Sequence, residues 1–248
     1  MIISATSARL ITNLSSLKLR IALNSQIKQS DLLEWGKIIK KSQIYNKLDT
    51  IHSINNRLTT EQDFLIGSVY LDSIRTATIN FTVYLEAFLK ESLNSCMKNN
   101  YSLLNKGLSD KKITFTANDI VTFNDIEDIR EKYINKVTDY KTLGMLWHKK
   151  YKNYSNFIGL PKEFSSDKLH KQLEALWKLR NDFTHSNNYV QELLINEKRY
   201  VISSKMDQED YYIFVEFFVN IVDETINFLL KVDAKIREKW SISTEELT

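Results

Sequence analysis

Along one stretch of the chain, Ile74, Thr78, Phe81, Leu85, Phe88 and Ser92 follow one another at alternating four- and three-residue steps. That spacing keeps them on one stripe at about 100° per residue, the signature of an amphipathic helix with one face on a core. It predicts a long helix from about Thr60 to Asn99, ended by the polar stretch from Asn99 to Lys112. Upstream, apolar positions at helical spacing from about Leu14 to Arg57, among them Leu32, Trp35, Ile38 and Ile39, predict one or two helices ahead of the main body.

Downstream, Ile113 to Thr116 alternates briefly, as a short strand or extended loop does. Asn124 or Asp125 can then cap a helix from Ile126 to about Val137, and another is expected over Lys141 to Asn153. Gly159 and Pro161 mark a break before the capping cluster Ser165, Ser166, Asp167. From there a helix runs through Leu169, Leu173, Leu176, Trp177 and Phe183. Gln191 to Ser203 holds two short β-prone pieces around Asn196 and Glu197, which read as a small hairpin or a further helical stretch. A final long helix is expected over Gln208 to Trp240. Within it, the apolar run from Tyr211 to Val232 carries Glu216, Asp223 and Glu224, too many charges for a bilayer span, so it reads as a buried helix of a soluble protein.

Composition sharpens this picture. The 248 residues include only 5 Gly and 1 Pro, too few for a turn-rich β-sandwich or a glycine-rich phosphate loop, so an all-α fold is favoured. The division expected is a helical extension over residues 1–60 and one helical domain over 61–248, an up-and-down bundle that accommodates the small hairpin as an insertion. A single cysteine, Cys96, excludes an intramolecular disulfide and a cysteine-based zinc site and suits a reducing, cytoplasmic setting. No signal peptide is read in the first residues. The formal charge of +3, from 34 basic and 31 acidic residues, is too small to indicate nucleic-acid binding, so any basic surface must be local.

Candidate chemistry concentrates in the segment Arg180-Asn-Asp-Phe-Thr-His185. Arg180 lies seven residues after Leu173 and four after Leu176, in the middle of an otherwise apolar stripe. An arginine cannot shed its charge, and burying it unpaired is costly, so it needs a carboxylate, a subunit interface or an anionic ligand. Asn181 and His185, four residues apart, share an edge of the helix beside Trp177. A cation, an amide and an imidazole in a small volume suit phosphoryl chemistry on RNA. A histidine titrates near neutrality and can move a proton to or from ribose oxygens, while a guanidinium can hold the scissile phosphate, with no metal or cofactor required. The structural alternative is Arg180 paired with a core carboxylate and His185 solvated near a helix end.

Arg180 to His185 resembles the Arg, polar residue, several residues, His motif of the HEPN superfamily, all-α proteins many of which are metal-independent ribonucleases. Tyr84-Leu-Glu86-Ala-Phe-Leu89 is similar to the helix-borne Leu-Glu-x-x-Leu segment of the branch called RiboL-PSP-HEPN, and residues from Phe115 to Ile129 and the closing helix fit that branch. The resemblance spans Asp63 to Lys239. It implies a homodimer whose motif helices meet, so that Arg180, Asn181 and His185 of both chains line one cleft. It also implies cleavage of single-stranded RNA to a 2′,3′-cyclic phosphate and a 5′-OH, and a role as a toxin or anti-phage effector with an antitoxin or regulatory partner. Under it Glu86 is a candidate to orient Arg180 or His185; the alternative is a surface pair with Lys90 at i+4.

Trp147, His148, Lys149, Lys150, Tyr151 and Lys152, with Tyr154, interleave cations and aromatic rings. Such a composition can track RNA phosphates and stack bases, and Trp147, Lys149, Lys150, Lys152 and Trp177 are the candidate RNA contacts. The same residues also fit an amphipathic helix with Leu146, Trp147 and Tyr151 inward and the lysines in water. His52 and His170 have no metal-ligand spacing and read as surface or boundary residues. The leading expectation is therefore an endoribonuclease. A non-catalytic helical module that binds RNA, a nucleotide or a partner protein stands beside it, as does a structural dimer with Arg180 in an interface ion pair.

Overall fold

The computed structural model describes residues 4–27, 31, 34, 62–110, 115–123, 125–142, 146–161, 167–185, 190–195 and 198–240. Helices dominate: α1 (Ala5–Asn24), α2 (Gln62–Asn99), α3 (Tyr101–Asp110), α4 (Ala117–Thr122), α5 (Ile126–Thr142), α6 (Trp147–Ile158), α7 (Asp167–His185) and α8 (Gln208–Trp240). Between α7 and α8 lies an antiparallel hairpin, β1 (Val190–Ile195) and β2 (Lys198–Ser203), in which Ile195 pairs with Lys198 and Val190 with Ser203. The β-prone pieces around Asn196 and Glu197 thus form a hairpin rather than helix.

The helical boundaries follow local chemistry. The Ser4 hydroxyl accepts the Ser7 N–H at 3.1 Å, and Asp125 accepts the Asp128 N–H at 2.9 Å. Asp207 accepts the Asp210 N–H at 2.8 Å and so caps the start of the last helix. At the end of α6, Gly159 takes φ 70°, the left-handed conformation glycine adopts without penalty, and closes the helix through its N–H to the Ser155 carbonyl. The polar stretch after Asn99 does not stay irregular. The Asn100 side chain accepts the N–H groups of Ser102 and Leu103 at 3.0 and 3.2 Å, and the new helix α3 buries Leu103 and Leu104. The helix expected over 141–153 is displaced: α5 continues to Thr142 and α6 starts only at Trp147. Leu32, Trp35, Ile38 and Ile39, and Ile113 and Thr114, lie outside the described residues.

The fold divides into two compact units. One comprises residues 1–14, 82–174 and 223–248, the other 15–81 and 175–222, so α1, α2, α7 and α8 each have residues in both. In the first unit, Leu10, Leu89, Tyr154, Leu173 and Val232 are among the buried core. In the second, Ile21, Ile74, Trp177 and Phe218 are buried, Tyr70 stacks on Tyr211 with ring centroids 4.3 Å apart, and Phe81 meets Phe218 edge-on at 5.5 Å. The six stripe positions from Ile74 to Ser92 are all buried, as their spacing predicts. Residues 4–24, read as part of an extension, bury Leu10, Leu14, Leu17 and Ile21 as core residues. In the second unit a Cβ on Gly67 would lie 2.1 Å from the Ser204 carbonyl oxygen, so α2 and the residue after β2 approach to a distance only glycine allows.

Candidate functional site

Helix α7 carries the Arg180 to His185 segment in its last two turns. Leu176, Trp177, Leu179 and Phe183 are buried around it, which fixes the helix and leaves Arg180 and Asn181 half-buried and His185 exposed at the C-terminal end. The Arg180 Nη1 donates to the Asn181 side-chain oxygen at 3.0 Å. Its Nε is buried and has no hydrogen-bond acceptor. Among the described residues no carboxylate lies within ion-pair distance of Arg180, so the pairing with a core carboxylate that would make it a purely structural residue is not formed there. The Thr184 hydroxyl donates back to the Arg180 and Asn181 carbonyls at 3.0 and 3.1 Å.

A second guanidinium, invisible to motif reading, meets this helix end. Arg75 on α2, in the same unit, donates from Nη2 to the Phe183 carbonyl at 3.2 Å. That carbonyl is one of the last four of α7, which have no partner within the helix. Position 75 adjoins the buried stripe residue Ile74 but is itself exposed, so no periodicity distinguishes it from an ordinary surface arginine.

Trp177, a candidate RNA contact, is only 1% exposed and belongs to the core. The cation and aromatic cluster on α6 is divided by its helix. Trp147 is fully buried and donates from Nε1 to His170 Nδ1 at 2.8 Å; Tyr151 and Tyr154 are buried as well. His170 is a boundary residue, half-buried among Trp147, Tyr151 and Phe228, with its ring centroid 4.8 Å from that of Tyr151. Lys150 is 3% exposed and its ammonium binds the Glu86 carboxylate, while Lys90 turns to Asp139 at 3.0 Å. The i+4 pair expected between Glu86 and Lys90 is therefore replaced by a longer-range pair to Lys150, because a buried ammonium requires a carboxylate more than an exposed one does. Of the α6 lysines, Lys149 and Lys152 remain in water. Base stacking on Trp147 or Trp177 and phosphate contact by Lys150 are not accessible to these side chains as they are packed.

Among the described residues no group of three or more His, Cys, Asp or Glu side chains is placed to hold a metal ion, and no helix is long and apolar enough to cross a membrane. No family model, curated protein or solved structure matches this chain. The site must therefore be read from its own chemistry. Arg180 offers a charge that no carboxylate among the described residues neutralises, Asn181 orients that charge, and His185 offers an exposed imidazole one turn beyond Asn181. Such a set can bind an oxyanion and move a proton beside it.

Proposed function

We propose that the chain is a metal-independent endoribonuclease of HEPN type acting on single-stranded RNA. The observation that supports this reading most is Arg180: a half-buried guanidinium held by Asn181, without a carboxylate among the described residues, beside an accessible histidine. Retaining such a charge is costly unless an anion meets it, and a phosphodiester is the anion that also gives His185 work to do.

In the proposed reaction a ribose 2′-OH loses its proton to an imidazole and its oxygen attacks the adjacent phosphorus. The bond to the 5′ oxygen breaks, that oxygen takes up a proton, and the products end in a 2′,3′-cyclic phosphate and a 5′-OH. Arg180 offsets the charge that builds on the non-bridging oxygens, and Asn181 keeps the guanidinium in place. The two proton transfers need a base and an acid, which two copies of His185 supply if the chain works as a homodimer with its motif helices facing. A toxin or anti-phage role, with an antitoxin or other regulatory partner, belongs to the same proposal.

The test is incubation of the purified protein with single-stranded RNA in EDTA, with mapping of product ends. Cleavage leaving cyclic phosphates, lost in Arg180→Ala and His185→Ala, is the expected result. Cutting that EDTA abolishes, variants that cut as well as the parent, or RNA binding without cleavage would overturn the proposal.

A further inference from the structure

We propose that Arg75 is a second phosphate-binding group of this site, holding a phosphate next to the scissile one; the inference rests on the endoribonuclease reading. Arg9, Arg130, Arg199 and Arg237 meet the carboxylates of Glu91, Glu127, Glu192 and Asp233. Among the described residues Arg20, Arg75 and Arg180 meet none, and all three belong to the unit of residues 15–81 and 175–222. Arg20 lines a groove of about 390 Å³ between α1 and α2, where Asp72 also sits. Only Arg75 and Arg180 are tied to α7, Arg180 as one of its residues and Arg75 through the Phe183 carbonyl.

That carbonyl belongs to the residue three positions after Arg180, about one helical turn or ~5 Å along the axis. Arg180 and the carbonyl that anchors Arg75 thus lie within a turn of each other along the helix that presents His185. Arg75 makes one hydrogen bond, to a neutral carbonyl, which uses one of its five N–H donors and leaves its charge uncompensated. A flexible strand crossing this helix end with one phosphate on Arg180 meets Arg75 with the next. Position and charge together favour a strand of repeated phosphates over a single small anion, which Arg180 alone would satisfy.

Arg75 as a helix cap and nothing more is the competing account, since cations favour the negative end of a helix. The two differ in salt dependence. Each phosphate contact to a single strand contributes about 0.7 to the slope of log affinity against log salt, because its counterion is released on binding. The measurement is fluorescence anisotropy of a labelled single-stranded oligonucleotide, 2′-O-methylated throughout so that it cannot be cut, titrated at several salt concentrations. Arg75→Gln, which keeps a donor for the Phe183 carbonyl but not the charge, should lower the slope by about 0.7, and Arg75→Lys should restore it. Arg75→Ala should behave as Arg75→Gln does. A parental slope in Arg75→Gln would overturn the assignment and leave Arg75 a cap. If the parent protein itself shows no salt-dependent binding and no cleavage, the endoribonuclease reading fails first and takes this inference with it.

Discussion

In the unit of residues 1–14, 82–174 and 223–248, several cations are held by partners within the fold, while Lys149 and Lys152 stay in water. Lys150 serves Glu86, Lys90 serves Asp139, Lys98 serves Glu131, and Arg237 serves an Asp233 that also accepts from the Ser4 hydroxyl and N–H at the start of α1. Lys106 and Lys239 donate to carbonyls at the end of α6, to Phe157 at 2.9 Å and to Gly159 at 2.6 Å. In the unit of residues 15–81 and 175–222, Arg75 and Arg180 are held by a carbonyl and an amide oxygen, which position a guanidinium without cancelling it. A carboxylate cancels a cation's charge, whereas a carbonyl or amide oxygen only positions it, for Lys106 and Lys239 as for Arg75 and Arg180.

The sharpest way to break this contrast is to remove the histidine. His185→Ala should lower the rate of RNA cleavage by about 10²- to 10⁴-fold while the melting temperature stays near that of the parent, since the side chain is exposed. A large loss of stability with unchanged cleavage would show that the motif is scaffold after all.

Gly67→Ala should cost about 3 kcal/mol in denaturant unfolding, at the upper end for overpacking, because the added Cβ meets a backbone oxygen that has no rotamer in which to retreat. The loss would show that tight backbone packing, and not charge alone, defines the unit that carries the motif. On the other side of the contrast, Lys150→Ala should destabilise by about 2 kcal/mol, below the ~3–5 kcal/mol for breaking a fully buried pair because Glu86 keeps part of its side chain in water. The same variant should cut RNA at the parental rate. Loss of cleavage without loss of stability would move Lys150 to the functional side.

Effects confined to alkaline pH concern groups sealed in the cores. Burial, with the charge of Asp233 as a lesser cause, pushes the Cys96 thiol up to about 12, and burial pushes the Tyr211 phenol up to about 12. Both groups are favoured neutral in the folded state. Their contribution to stability is therefore complete below their ordinary values of 9.0 and 10.0 and is lost as pH rises beyond them. Chemical unfolding followed from neutral to alkaline pH should show a flat region and then a fall. At neutral pH a thiol reagent should label Cys96 only when denaturant is added.

Elements with long, repeated patterns are legible in the order of residues alone. The stripe from Ile74 to Ser92, the helix through Leu173 and Phe183, and the closing helix over Gln208 to Trp240 appear with nearly their expected bounds, because burial of one face imposes a period that local sequence records. The short helix α3 is masked by its polar residues, since the side chain that starts it, Asn100, also reads as a terminator. On α6, the pattern separates inward aromatics from outward lysines, yet Lys150 goes inward because Glu86, sixty-four residues earlier in the chain, waits there.

Residue order alone establishes a predominantly helical protein poor in glycine and proline, and it singles out Arg180, Asn181 and His185 by type and spacing. Which charges are already satisfied follows from packing alone. It gave Glu86 to Lys150, sealed Trp147 and Trp177 in the cores, placed Arg75 on the Phe183 carbonyl and left Arg180 without a carboxylate among the described residues. Periodicity is a property of neighbours along the chain. Pairing of charges depends on residues that meet only when the helices pack, and no local pattern encodes it.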